Sequence, residues 1–119
     1  MLRRWLAHPL TRHLPLDSPL TTALRREIIE SKPFLKRIYA EWYRLVADAI
    51  PPGPGAVLEL GSGAGFLRRF VPGLVTSDVF LCPDASVVLD ARRLPVRDAA
   101  LRAIAMVDVL HHVPDCRSF

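Results

Sequence analysis

The chain has 119 residues, half of them hydrophobic and about a quarter charged, a balance that fits one globular domain with a modest core. Its net charge of +4 comes from scattered arginine pairs (Arg3–Arg4, Arg25–Arg26, Arg68–Arg69, Arg92–Arg93), not from an aromatic-interleaved basic stripe, which argues against a nucleic-acid partner. No apolar run approaches the ~20 residues that cross a bilayer, so no membrane span is expected.

The start, Met1 to Leu10, is interrupted by His8 and Pro9 and lacks the apolar stretch of a secretory signal. Residues 1–16 carry Arg3, Arg4 and Arg12 without an acid, a loose match to an organelle-targeting peptide. Cys82 and Cys116 have neither CxxC spacing nor a histidine cluster. They read as reduced thiols, with a cytoplasmic location and no metal site expected.

Ser18 is a good helix N-cap, and Pro19 suits the first helical position because its missing N–H has no helical partner to lose. Leu20, Leu24, Ile28 and Ile29 then recur at helical spacing. A second helix start is read at Ser31, with Pro33 in the first turn. Phe34, Leu35, Ile38, Tyr39, Trp42, Leu45, Val46 and Ala49 form an apolar stripe along a helix of about 17 residues. That stripe packs the core or covers a substrate pocket. Pro51-Pro52-Gly53-Pro54-Gly55 divides the chain into a helical segment, 1–52, and an alternating segment, 53–119.

After the divider the runs are short and β-like. Ala56–Leu60 reads as a buried parallel strand running into glycines, and Phe66–Val71 as a brief helix closed by Pro72-Gly73. Leu74–Phe80, Ser86–Leu89 and Leu101–Leu110 read as three further strands. Strand and helix in alternation predict an open α/β sheet. The link from Asp78 to the third strand is too short for a crossover helix, which needs about a dozen residues with its turns. Either the ligand pocket is shallower on that side or the third strand is rudimentary.

The informative stretch is Glu59-Leu-Gly61-Ser62-Gly63-Ala-Gly65. Glycines after a strand permit a sharp turn and the close approach of a ligand to the backbone. The dinucleotide fingerprint GxGxxG requires glycine at position 66, where this chain has Phe66. Glu59, two residues before the first glycine, suits a cationic amino acid–sulfonium ligand better than a diphosphate.

This segment resembles motif I of the class I S-adenosylmethionine-dependent methyltransferases, and the remaining motifs follow in that family's order. Asp78 matches the acid that takes the ribose hydroxyls. Asp90-Ala91-Arg-Arg-Leu-Pro95 matches the segment whose acid faces the adenine amino group. Asp108-Val-Leu-His-His-Val-Pro-Asp115 is similar to the stretch after the fourth strand in the type 11 branch, which includes ubiquinone/menaquinone C-methyltransferases. The resemblance covers residues 56–119. It implies a Rossmann-like sheet of order 3-2-1-4, incomplete beside the family's seven strands, with N-terminal helices. It implies S-adenosyl-L-methionine as cofactor, held by Glu59, Gly61, Ser62, Gly63, Gly65, Asp78, Asp90, Ala91 and Asp108, and a small-molecule methyl acceptor. No residue identifies itself as a catalytic base.

Each of these residues has a plainer reading. Glu59 can be a surface acid at a strand end, Asp78 a turn cap, Asp90 the N-cap of a turn begun by Ala91, and His111–His112 a structural pair, one ring packed and one exposed. By the family pattern Asp115–Phe119 opens a helix, and the fifth strand and the closing antiparallel pair are then missing. A truncated product, a gene fragment or one half of an assembly fits that pattern. Two rival functions follow: a non-catalytic fragment that at most binds cofactor or a partner, and an NAD(P)-binding oxidoreductase. An apolar fourth strand left at the sheet edge invites self-association.

Overall fold

The computed structural model describes residues 8–10, 13–15, 18–117 and 119. The arginines behind the organelle-targeting reading, Arg3, Arg4 and Arg12, lie outside them. Among the described residues the fold is α/β, with two α-helices and a four-stranded parallel sheet.

Helix α1 spans Pro19–Ser31 and is capped as its sequence requires, with Ser18 Oγ accepting the Thr21 amide at 3.1 Å. The Thr21 hydroxyl donates to the Pro15 carbonyl at 2.6 Å and is buried, tying the preceding segment to the helix start. Helix α2 spans Pro33–Ala49. Ser31 does not cap it. That serine ends α1, its hydroxyl donating to the Ile28 carbonyl at 2.9 Å, and Lys32 takes the cap position without a side-chain bond. The cause is Pro33, whose ring drives the residue before it into extended backbone (φ −112°, ψ 104°) and so breaks one helix and starts the next.

The apolar stripe of α2 is only partly used. The fully buried residue is Tyr43, outside the predicted stripe, with Tyr39, Val46, Ala47 and Ile50 packed beside it. Phe34 (73% exposed) and Leu45 (68%) face solvent. Positions 39, 43, 46 and 50 lie along one line of the helix, and 34 and 45 sit well over a quarter-turn from it at about 100° per residue.

Strand β1 (Ala56–Leu60) is central. It pairs in parallel with β2 (Val75–Asp78) and with β4 (Leu101–Met106), while β2 pairs with β3 (Val87–Val88), giving the order β3-β2-β1-β4. Glu59 stands opposite Thr76 and Ala105. β3 has two residues, the second of the outcomes that the short link allows, and residues 79–86 join it to β2 without a helix. It is held where the Ser86 amide donates to Thr76 O at 2.9 Å and the Leu89 amide to Asp78 O at 3.0 Å.

β2 and β4 are shorter than the apolar runs suggest. β4 ends at Met106 because Asp108 adopts a left-handed backbone (φ 58°), after which Leu110–His112 forms a 3-10 turn. Phe66–Arg69 is likewise a single 3-10 turn rather than a helix reaching Val71, and residues 114–117 form turns rather than a helix.

One core cluster unites both sides of the Pro51–Gly55 divider: Ile29 and Tyr43 from the helices meet Val57, Leu74 and Ala105 of the sheet segment, with Phe66, Leu67 and Val71. A fully buried Leu such as Leu67 contributes about 2 kcal/mol by removal from water. Phe66 is held in this core under the Arg69 guanidinium, 4.9 Å from the ring centroid. Position 66 thus carries a packed side chain where a dinucleotide loop has glycine. No helix among the described residues is long and apolar enough to cross a membrane.

Candidate functional site

A cavity of about 420 Å³ lies over the C-terminal ends of β1, β2 and β4, within the size range of small-ligand pockets. It sits where the strand order reverses, with β2 on one side of β1 and β4 on the other, the usual ligand position in open α/β sheets. Gly61–Ala64, Asp78–Phe80, Leu89–Arg92 and Val107–Val109 form the sheet-side wall. Thr22, Arg25 and Ile29 of α1 and Tyr39 and Tyr43 of α2 form the other, and His112 and Val113 complete the lining.

The structure brings Gly61, Ser62, Gly63, Asp78, Asp90, Ala91 and Asp108 to this one cavity. Glu59 and Gly65 are not part of its lining. The three glycines differ in what they do. A Cβ on Gly61 would lie 2.6 Å from Val109 Cγ2, and one on Gly65 2.6 Å from Asp84 Cβ, so both are excluded by packing. A Cβ on Gly63 would meet nothing nearer than the Gly61 carbonyl at 3.9 Å, so this position is open on the cavity side. Its left-handed backbone (φ 51°) still favours glycine.

Ser62 ties the loop to β2 twice, its amide donating to Ser77 O at 2.8 Å and its Oγ accepting the Ser77 amide at 2.9 Å. With that oxygen engaged as acceptor, the hydroxyl proton is left for the Glu59 carboxyl beside it. Glu59 is no surface acid: it is 2% exposed, and its Oε2 has no hydrogen-bond partner among the described residues. Burial pushes the carboxyl up to about 7; Asp78 adds to that rise, while the Ser62 hydroxyl and the Arg68 guanidinium oppose it.

Asp78 caps the loop as well as walling the cavity. Its Oδ2 accepts the Gly63 amide at 3.0 Å and its Oδ1 the Phe80 amide at 3.3 Å. Asp90 heads a turn over residues 90–93, closed by the Arg93 amide donating to Asp90 O at 2.9 Å, which is not the helical turn its plainer reading expects. Oδ1 accepts the Arg92 amide at 2.9 Å, and the Arg92 guanidinium grips both oxygens at 2.6–3.1 Å. That grip holds the Asp90 carboxyl down at about 2. Asp108 Oδ1 lies 3.3 Å from His111 Nδ1, and the His111 and His112 rings lie against each other, tilted by 42°, with centroids 3.8 Å apart. Both histidines are exposed, so the expected division into one packed and one exposed ring does not hold.

The helix-side wall was legible only in part. Tyr39 belongs to the predicted stripe, but Tyr43, one turn on, and Thr22 and Arg25 do not. The i, i+4 spacing of the two tyrosines is the signal that places them on one face. Among the described residues no group of three His, Cys, Asp or Glu is placed to hold a metal ion. Comparison with protein-family models, with curated proteins and with solved structures gives no match.

Proposed function

We propose that the chain is a Rossmann-like, class I type S-adenosylmethionine-dependent methyltransferase domain acting on a small-molecule acceptor. The observation that carries this reading is Glu59: a buried carboxyl with an orphaned oxygen, placed two residues before a glycine loop that opens at Gly63 onto a cavity at the switch point of the sheet. Ionising a buried carboxyl with one oxygen unsatisfied is costly, and a ligand carrying positive charge offsets that cost. A diphosphate would add to it.

The residues present fit the cofactor in two physical respects. Gly63 leaves the space that a Cβ would fill, and the sheet-side wall is acidic, with Asp78, Asp90 and Asp108 lining it. In this reading Gly61, Ser62 and Gly63 hold the amino-acid end, with Gly65 closing the loop. Asp78 takes the ribose hydroxyls, for which a carboxylate is suited because it accepts two hydrogen bonds side by side. Asp90 and Ala91 border the adenine, and Asp108 faces the same space. The cofactor, when bound, supplies a methyl group on a sulfonium that is already a good leaving group. The protein's work is then to position the reactants and exclude water.

Calorimetric titration with S-adenosylmethionine, S-adenosylhomocysteine and NAD tests this. We expect the two adenosyl thio-compounds to bind and NAD to bind more weakly. Tighter binding of NAD overturns the reading.

A further inference from the structure

The cavity is divided by charge. Its sheet-side wall carries Asp78, Asp90 and Asp108, with Arg92 locked onto Asp90. Among the described residues its helix-side wall carries no acid; there Arg25 lies with Tyr39, Tyr43 and Ile29. The two tyrosines are neighbours, with ring centroids 6.0 Å apart, and Tyr43 is anchored from behind by Phe70 at 6.0 Å. The tyrosine faces accept a flat ring, and by themselves would also accept a cation. The Arg25 guanidinium beside them is what favours a ring that carries or develops negative charge over an ammonium.

His112 also lines the cavity. Its ring lies against that of His111, tilted by 42°, and Asp108 Oδ1 lies 3.3 Å from His111 Nδ1. Asp108 itself sits in a left-handed backbone, uncommon for a residue with a side chain and a form of strain that gathers at functional sites. The other charged groups that line the cavity are Arg25, Asp78, Asp90 and Arg92.

We propose that the helix-side wall is the acceptor subsite, that it takes an aromatic hydroxyl compound of the phenol class, and that His112 receives the hydroxyl proton. The assignment rests on the methyltransferase reading above. In the step it implies, the acceptor O–H bond breaks and its proton passes to an imidazole nitrogen of His112. The oxygen lone pair forms the new O–CH3 bond, the S–CH3 bond breaks, and its electron pair stays on sulfur, leaving a neutral thioether. Tyr39 and Tyr43 position the ring, and Asp108 and His111 position His112.

The test uses the full chain with 4-nitrophenol as probe and benzylammonium as the control of opposite charge, with and without saturating S-adenosylhomocysteine. Binding is followed by the ring proton signals of Tyr39, Tyr43 and His112, and ionisation of the bound dye by its phenolate absorbance across pH. We expect saturable dye binding that shifts those signals and exceeds benzylammonium binding. Ionisation of the bound dye should fall by about one pH unit, the effect of a cation formed beside it. His112→Gln should keep the dye bound but lose most of that shift, leaving only the part that Arg25 supplies. Tyr39→Ala, at a half-buried position, should weaken the dye about five-fold. No saturable dye binding, stronger benzylammonium binding, or a dye whose ionisation is unmoved in the parent chain each overturns the proposal. Titration with S-adenosylhomocysteine alone separates the two readings. If it binds and the dye does not, the subsite falls and the methyltransferase reading stands; if the dye binds and it does not, the subsite is real and the methyl donor is wrong.

Discussion

Asp78, the last residue of β2, accepts the backbone amide of Gly63 through Oδ2 at 3.0 Å. This bond spans the mouth of the glycine loop and couples the acid expected to hold the ribose to the loop expected to hold the amino-acid end. Its second oxygen takes the Phe80 amide. Asp78→Ala should therefore act twice, costing about 1–3 kcal/mol of cofactor binding and about 1–2 kcal/mol of stability from amides left unsatisfied. Asp78→Asn keeps one acceptor oxygen and should be milder on both counts. Urea unfolding and calorimetry on the same samples separate the effects. A loss of stability with unchanged affinity would leave Asp78 as a loop cap and nothing more.

The glycines give a second test, because the three positions fail for different reasons. Gly61→Ala and Gly65→Ala force a methyl within 2.6 Å of Val109 and of Asp84 respectively, so the loss should appear in stability. Gly63→Val meets open space and should lose binding instead, with a folding cost of about 1–2 kcal/mol for placing a side chain in left-handed backbone. The check is the ratio of affinity loss to stability loss across the three variants. Equal ratios would mean that Gly63 is structural like its neighbours.

Much of the sheet was readable from local pattern. Ala56–Leu60 is an unbroken apolar run ending in glycines, and it is the central strand with the expected bounds. The order β3-β2-β1-β4 followed from the family pattern. What pattern missed were boundaries set by one residue's backbone: Pro33 forcing Lys32 out of helix, and Asp108 ending β4. The face of α2 was misjudged for a different reason. Leu45 and Phe34 count as strongly as Tyr43 in any apolar periodicity, and only tertiary contact with Phe66 and Phe70 selects the tyrosine. Within the site, the acids were legible by motif, but the Arg92 clasp on Asp90 was not, since a bond between residues two apart depends on the turn between them.

Among the described residues β4 is an edge strand, paired only with β1. Ile104, on the face away from the core, is 44% exposed. An apolar edge of this kind is a template for pairing with another chain. We expect concentration-dependent self-association in sedimentation velocity, and Ile104→Lys should suppress it while leaving the unfolding midpoint within about 0.5 kcal/mol of the parent. Self-association unchanged by the lysine would place the contact elsewhere, with exposed Phe34 and Leu45 of α2 the next surface to alter.

Glu59 should make the chain's stability and its binding of a cationic ligand run in opposite directions with pH. Burial raises its carboxyl to about 7, against about 4.3 in an unfolded chain. Between those values the folded protein holds a proton that the unfolded chain has lost, so stability must fall as pH rises. The favourable contribution is complete below about pH 4 and is lost as pH climbs through about 7; the full swing is on the order of 3 kcal/mol. A cationic ligand needs the opposite state, because it interacts best with the ionised carboxylate. Binding of S-adenosylmethionine should therefore strengthen from pH 6 to pH 8 and release up to one proton near pH 6.5. Calorimetry in buffers of different ionisation enthalpy measures that proton directly. Glu59→Gln should flatten the stability profile, abolish the proton release and weaken the cofactor, while the fold, which keeps the Ser77 bond to the backbone carbonyl of residue 59, persists. If the glutamine variant releases the same proton, Glu59 is not the group that meets the ligand, and the buried acid needs another explanation.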